Sequence, residues 1–535
     1  MKSYGSSGDR QIKAGADEEG LLPGRRFACR HLGNVLVLGL GVSGKALVEY
    51  LTPLIGSRVT SLCVLGGNGT DDNRAWASAL KDRHSDECED GRLVFMFDAD
   101  DARAMVSEDA EEFDLCIASP GISVFSDMYA NAASCSRSII GEVEFAWRES
   151  ASDSRWIAIT GTNGKTTATS LTTHLLREAG MNAVAVGNIG QACIAQIAPC
   201  KDGKLQDAQA EAPIYVLEVS SFQLASIDRF VPDAAVMLGI KPDHVEWHRT
   251  YDHYVDSKMR LLGNMESAGR GTAILDTTNI EVRKRAKALS EDAKTGAKPS
   301  VIPIGWEGGV GDRPELADGF SGAAFVSPDN VLTVIIDGES HALCQVSELN
   351  IKGPHNMVNA LASAAAALTM GVSDTAIREG LEGFMPLEHR IEPAGSKGSV
   401  SFFNDSKATN VDSAVCAIGS FPGSHLIVML GGHDKMTPLD ELVDACDRHA
   451  CAVICYGEAK DRFFEAMSPI ASEDIEVVTA DGFDDAFDEA VRLAEGAESD
   501  DVTVLLSPAC SSYDEFNSFE ERGRRFKEKV QDLIG

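Results

Sequence analysis

Short, nearly unbroken apolar runs recur along the chain, each separated from the next by a longer stretch whose apolar residues keep helical spacing. A strand that is apolar on both faces must be covered on both faces, so the alternation points to parallel sheets wrapped by helices. The runs fall into three series. The first contains "VLVLGL" (35–40), "VTSLCVL" (59–65) and "DLCIAS" (114–119). The second contains "WIAITGT" (156–162), "IYVLEVS" (214–220), "AAVMLGI" (234–240) and "TAILD" (272–276), and closes on an alanine-rich helix over 356–370. The third contains "SVSFFNDS" (399–406), "LIVMLGG" (426–432), "AVICYG" (452–457) and "VTVLLSP" (502–508). The expected class is α/β in three blocks, 34–150, 151–390 and 391–535, after a disordered, glycine-rich tail over 1–33. The glycine- and proline-rich stretch 297–322 is expected as a long loop.

A chain of 535 residues is long enough for three domains of about 150 residues. Its 44% hydrophobic and 24% charged residues are those of an ordinary globular protein. The net charge of −34 opposes nucleic acid and anionic membrane surfaces, so neither is expected as a partner. The acidic runs "DADDAR" (98–103) and "DGFDDAFDEA" (481–490) read as solvated faces. Thirteen cysteines show no C-x-x-C pair, and Cys446, Cys451 and Cys455 sit in apolar surroundings that suit a strand core. With no signal-type start and no run of about 18 apolar residues, a cytoplasmic protein without stable membrane insertion is expected.

Two glycine-rich turns carry the chemistry. In "VLVLGLGVSGKALVEY" (35–50), Gly39, Gly41 and Gly44 have the G-x-G-x-x-G spacing of a dinucleotide site. Such a site needs an acid at the end of the second strand, and after "SLCVL" the chain reads Gly66-Gly67-Asn68-Gly69 with no acid before Asp71. The nicotinamide reading therefore lacks its second half. What remains is a loop in which Gly41, Val42 and Ser43 can bring N–H groups to a diphosphate, with Ser119, Pro120 and Gly121 lining the same crevice.

The second turn, "ITGTNGKTTATS" (159–170), joins an apolar strand to a helix. Gly161, Thr162, Asn163 and Gly164 can curl the backbone around phosphate oxygens. Lys165 can reach the outer phosphates, and Thr166 and Thr167 open the helix, Thr166 with a hydroxyl for Mg²⁺. Ile159 stands where the longer form of this loop has its first glycine, so this is a shortened variant. It marks a nucleoside triphosphate site. Glu218 and His244, each after a successive strand of the same sheet, are candidate metal ligands.

"GTNGKTT", "EVSSFQL", "DHVEWH", "YVDSKMR", "GPHNMVNALA", "HRIE" and "NDSKATN" occur here in the order of the Mur ligases, and the chain resembles that family from about residue 34 to its end. The resemblance implies an N-terminal Rossmann-like UDP-binding domain, a central P-loop ATPase domain with a mainly parallel sheet, and a C-terminal Rossmann-like domain. It implies ATP-dependent joining of an amino acid to a UDP-linked peptidoglycan precursor through an acyl phosphate and a tetrahedral intermediate, with Mg²⁺ as cofactor. "NDSKATN" (404–410), "GGHDK" (431–435) and "LSPACSSYDEFNSFEERG" (506–523) are similar to the members that add D-glutamate to UDP-N-acetylmuramoyl-L-alanine. Another amide ligase of the same superfamily is the neighbouring alternative, and a P-loop protein without ligase activity a more distant one.

Carried over residue by residue, the resemblance makes Lys165, Lys258, Lys407 and His244 catalytic. Thr166, Glu218, His244 and Lys258, if carbamylated by CO₂, complete the metal sites. Asn356, Asn359, His389, Arg390 and Asp405 line the adenosine side. Asn188, Ser220 and Gln223 join the UDP-substrate site, and Thr409, Lys435, Ser512, Tyr513 and Phe519 hold D-glutamate. A monomer is implied. Gly239 stands where relatives have Asn, 276–279 replaces Asn-Ala-Asp-Asp, Tyr513 replaces Leu, and the Asp-Thr-Arg that holds uracil after the second strand is missing.

Overall fold

The computed structural model describes residues 20–67, 69–97, 112–200, 212–291, 298–315 and 319–535. Residues 1–19 of the expected tail, Asn68 and the acidic run 98–103 lie outside these. The described chain forms three sheets, and all three are rich in parallel pairs.

The first sheet is wholly parallel, in the order Leu93–Met96, Val59–Leu65, Gly33–Leu38, Leu115–Ala118, Ile139–Gly141. Its strand order reverses between Gly33–Leu38 and Leu115–Ala118, which opens a crevice at their C-terminal ends. The second sheet has nine strands. Arg155–Thr160 lies between Ala234–Met237 and Ile214–Glu218, with Ala183–Gly187 at that edge. On the other side follow Thr272–Asp276, Ser300–Ile304 and an antiparallel extension, Gly322–Val326, Val331–Ile336 and Glu339–Gln345. The third runs Glu392–Lys397, Val400–Asn404, Val502–Ala509, His425–Gly431, Ala450–Tyr456, Glu476–Thr479.

The apolar runs emerge as strands because each is buried on both faces; Val502–Ala509 and Ile214–Glu218 have no exposed residue. The acidic run 481–490 enters the helix Phe483–Gly496, which turns Phe483, Phe487 and Ala490 inward and leaves its acids outside. Two expectations need correction. The stretch 297–322 is not all loop: Ser300–Ile304 pairs in parallel with Thr272–Asp276. Proline in "SVIPI" hid this strand, and the sheet tolerates it because pairing on the other side is limited to Ile304 and Ala324. Nor is the chain loose up to residue 33. Leu22 and Ala28 are buried, and Arg25 donates to the carbonyls of Glu149 and, at 2.9 Å, Ala198.

The helix Glu142–Glu149 ties the first sheet to the second and buries three carboxylates. Glu144 Oε2 accepts the N–H groups of Asp228, Arg229 and Phe230 at 2.9–3.0 Å. Glu149 takes both Arg58 Nη groups at 2.7 Å and the Tyr50 hydroxyl at 2.8 Å. Between these, Trp147, Trp156 and Phe230 meet edge to face at 5.7 and 5.8 Å, in one apolar core common to both sheets. The third sheet packs its two faces into clusters of its own. Its seam with the second is polar: Asp412 takes Asn163 Nδ2 and Lys241, and Ser413 Oγ donates to Asn163 Oδ1 at 3.2 Å.

Glu142 is the least satisfied of the three carboxylates. Oε1 accepts the Ile194 N–H at 2.7 Å, whereas buried Oε2 has no partner. Burial pushes its carboxyl up from 4.5 to about 7. A carboxyl raised on folding contributes most below its unfolded value and loses that contribution as pH rises through the folded one. Wild type should therefore lose about 2 kcal/mol relative to Glu142→Gln between pH 5 and pH 8. Urea unfolding of both proteins at the two pH values measures this, and a constant difference would refute it.

Candidate functional site

The P-loop lies at the C-terminal end of the central strand Arg155–Thr160. Gly161 has φ 153° and Gly164 φ 79°, so the chain reverses into the helix Lys165–Glu178 within four residues. A Cβ at Gly161 would stand 2.7 Å from Leu238 Cβ, and one at Gly164 2.5 Å from Asn359 Oδ1. The sequence therefore needs glycine at both places. As at any helix start, the first-turn N–H groups point out without an intrahelical acceptor. Thr162 is occupied otherwise: its N–H donates to Gly239 O at 2.8 Å, and its hydroxyl meets Lys241 N at 2.9 Å and the Tyr254 hydroxyl at 2.8 Å. Thr162 fixes the loop to the strand end beside it.

Neighbouring strands of a parallel sheet end at the same edge, and they bring the predicted partners here. Glu218 closes Ile214–Glu218 and is buried; Asn188 Nδ2 donates to its Oε1 at 2.7 Å, while Oε2 has no partner. Asp243 and His244 follow Ala234–Met237. His244, at φ 52°, packs on the Phe222 ring at 4.8 Å. Lys165 and Lys258 both donate to the Gly161 carbonyl, at 3.1 and 2.8 Å. Burial lowers both ammonium groups; Glu218 and Asp243 counteract this in each, while Lys165 lowers Lys258 further. Lys258, a surface lysine to judge by its helix alone, is buried in the helix Tyr251–Ala268 and also donates to Thr160 Oγ1 at 3.3 Å.

The third sheet adds to the same place. Lys407 follows Val400–Asn404 and lies over the Phe519 ring at 3.6 Å; burial and Arg390 lower it, and the charges of Glu218 and Lys165 reach it. Four basic side chains, Lys165, Lys258, Arg390 and Lys407, thus lie within one another's electrostatic reach in a chain of net charge −34. That concentration suits polyphosphate and carboxylate groups. Among the described residues no three His, Cys, Asp or Glu side chains meet as a metal shell.

Beside the P-loop is a cavity of about 430 Å³. Of the predicted residues it is lined by Asn163, Gly164, Thr167, Asn356, Asn359, Arg390 and Asp405. Asn359 Nδ2 donates to Asn356 Oδ1 at 3.0 Å. Asp405 is buried, pushed up to about 7, and accepts the Ser507 hydroxyl at 2.7 Å. His389 does not border this cavity; it is buried behind it, between Asn404 and the Phe519 ring. Asp412, Ser413 and Cys416, which the motifs did not single out, close the cavity from the third sheet.

Thr409, Lys435 and Ser512 come from the ends of three adjacent strands, and Lys435 Nζ donates to Thr409 O at 2.9 Å. Tyr513 is 71% exposed at the rim. In the first sheet, Gly41, Val42 and Ser43 start the helix Val42–Leu51, and Ser119 Oγ donates to Gly39 O at 3.1 Å across the crevice. A Cβ at Gly44 would overlap the Gly39 carbonyl. Pro120 and Gly121 complete the turn after Leu115–Ala118. Ser220 and Gln223 bind each other as a capping box, so their side chains hold the short helix Ser221–Leu224.

Arg522 is a residue the motifs did not assign. It is buried and donates to Ser406 Oγ and the carbonyls of Ser406 and Cys510, each at 3.0 Å, and to Ser511 O at 3.3 Å. It joins the loops that carry Lys407 and Ser512. The signal was present: Arg522 shares one helical face with Phe526 and Val530, so a charge stands in an apolar stripe.

Residues 159–367 match the Mur ligase middle domain, and 389–510 the Mur ligase, glutamate ligase domain. A UDP-N-acetylmuramoylalanine–D-glutamate ligase from Thermoanaerobacter sp. (strain X514) is 31% identical over 499 residues, 93% of this chain and 98% of that one. One from Acidobacterium capsulatum is 36% identical over 419 residues, 78% of this chain and 82% of its own. A solved pseudomurein peptide ligase type C from Methanothermus fervidus shares the fold, with a TM-score of 0.52 at 16% identity, over 93% of this chain and 100% of that one. With relatives this similar along nearly their full length, the chain belongs to the Mur ligase family.

Proposed function

We propose that this protein uses ATP to join D-glutamate to UDP-N-acetylmuramoyl-L-alanine. The observation that carries the reading is the cavity beside the P-loop, which Asn163 and Asn359 of the second sheet's domain and Asp405 and Asp412 of the third line together, with Lys407 two residues beyond Asp405. A cation brought to the phosphates from a separate sheet serves phosphoryl transfer in general. A ligase needs one, because a carboxylate must approach the triphosphate and negative charge must be neutralised as they meet.

In this reading the three sheets are three domains, for the UDP-substrate, ATP and the amino acid. Gly41–Ser43 and Ser119–Gly121 cradle the diphosphate. ATP lies in the cavity beside the P-loop, its base towards Asn356 and Asn359 and its ribose towards Asp405. The substrate carboxylate attacks the γ-phosphorus as the bond to ADP breaks, which gives an acyl phosphate. The amine of D-glutamate, held by Lys435, Thr409 and Ser512, attacks the acyl carbon, and phosphate leaves from the tetrahedral intermediate. Lys165 and Lys407 hold the transferred phosphoryl group by charge, while Phe519 keeps Lys407 in place. The protein would act as a monomer in the cytoplasm; no helix among the described residues is long and apolar enough to cross a membrane.

The donor set fits Mg²⁺. Glu218 Oε2 is a buried acceptor without a partner beside the P-loop, and Thr166 and His244 stand at the same edge. These residues would hold the ion, whose charge neutralises phosphate oxygens and whose remaining ligands would be those oxygens and water. Lys258 carries no hydrogen-bonded carboxylate, and its Nζ lies against the P-loop backbone. Its amine, on combining with CO₂ and losing a proton, would become an anionic carbamate and a further oxygen donor.

Phosphate release measured with UDP-N-acetylmuramoyl-L-alanine over a panel of amino acids should be fastest with D-glutamate, and faster release with L-alanine or diaminopimelate would overturn the reading. Lys165→Ala should lose turnover by a factor of about 10³ or more with its thermal unfolding little changed, since no core is opened; near-parental activity would remove the P-loop assignment. Protein equilibrated with ¹³C-bicarbonate should show a carbamate carbon resonance that Lys258→Ala lacks. That variant's low activity should rise with short carboxylates, and full activity without them would exclude the carbamate.

A further inference from the structure

The loop that carries Lys435 is held by two charged side chains to which the reaction above gives no task. Arg462 projects from the helix Lys460–Met467, and its Nη1 donates to both oxygens of Asp434, at 3.0 and 3.2 Å. Its Nη2 donates to the Thr437 carbonyl. Asp434 directly precedes Lys435, and its Oδ1 also accepts the Met436 N–H at 2.8 Å. Met436 stands at φ 55°, in the left-handed region that a residue with a side chain enters only at a cost. One carboxylate therefore fixes the backbone on both sides of Lys435. One guanidinium fixes that carboxylate and closes the loop at Thr437.

This geometry acts on the ammonium. The Asp434 side chain is 11% exposed and that of Arg462 30%, so the pair is shielded from solvent. Lys435 itself is exposed and pairs with no carboxylate among the described residues; its Nζ reaches over the intervening strand Val502–Ala509 to Thr409 O, 2.9 Å away. A flexible side chain can keep such a reach only if its backbone origin is fixed. Arg462 and Asp434 do not border the nucleotide cavity, so what they position is the amino-acid side of the site.

We propose that Arg462, acting through Asp434, is a positioning residue for the Lys435 ammonium and so sets how tightly the incoming amino acid's carboxylate is held. The proposal rests on the assignment of an anionic amino acid to Lys435 made above. Such a group, felt alike in ground and transition states, alters KM and leaves kcat in place.

Steady-state kinetics of Arg462→Gln and Asp434→Asn should each show the KM for D-glutamate raised about tenfold, the worth of one well-placed charged contact. The kcat and the KM for ATP should stay within about twofold of the parent, and Arg462→Lys should recover most of the loss. An unchanged KM for D-glutamate in both variants would overturn the proposal. So would a matching rise in the KM for ATP, or a fall in kcat alone. If the parent protein turns over a different amino acid, the reading of the reaction fails by itself, and the same criterion is applied to the KM of that amino acid.

Discussion

The site depends first on the chain reversal between Thr160 and Lys165. A central strand has to become a helix within four residues, with Leu238 on one side and Asn359 on the other, and only glycine fits at positions 161 and 164. Once that reversal is made, parallel topology supplies the rest. The flanking strands end at the same edge, so Glu218 and the Asp243–His244 pair arrive beside the loop without further design. The Gly161 carbonyl then collects two ammonium groups, Lys165 and Lys258, from different helices. Ammonium groups so close together and so buried repel one another; burial and Lys165 drive that of Lys258 well below its usual range, and Asp243 and Glu218 offset only part of this.

The same logic recurs in the third sheet with a different anchor. Its functional loops leave three adjacent strands, one of them through a glycine turn at Gly431 and Gly432, and a single buried side chain ties them together. Arg522 is that side chain, filling its donors with carbonyl oxygens of the loops. A guanidinium suits this place better than an ammonium would, because its planar fork can serve several acceptors at once and cannot shed its charge.

These differences explain which parts were legible in the sequence. Glycine turns and unbroken apolar strands are local, so the P-loop and the main strands could be placed from residues alone. Lys258 could not, since its helix gives no sign of burial; only the "YVDSKMR" motif marked it. The hidden strand Ser300–Ile304 carries a proline that its sparse pairing excuses. Residues 20–33 looked like a tail because their partners, Glu149 and Ala198, are more than a hundred positions away. His389, marked by its motif, is packed behind the cavity by contacts with Asn404 and Phe519 that no local pattern foretells. Asp412 and Ser413 belong to the same class, as contacts between sheets.

Those contacts bear on how the molecule works. The first two sheets share one apolar core through Trp147, Trp156 and Phe230, and parting them would expose aromatic surface to water. The seam between the second and third sheets includes polar contacts of Asn163, Lys241, Asp412 and Ser413, groups that water can also satisfy. The cavity beside the P-loop lies on the second seam, with walls from both sides: Asn163 and Asn359 from one, Asp405 and Asp412 from the other. A ligand that fills it gains contacts only when both walls are in place, so its binding free energy and that of closing the seam are linked. In the proposed reaction Lys407 and Lys165 act at one site, and their chemistry is thereby tied to an occupied cavity.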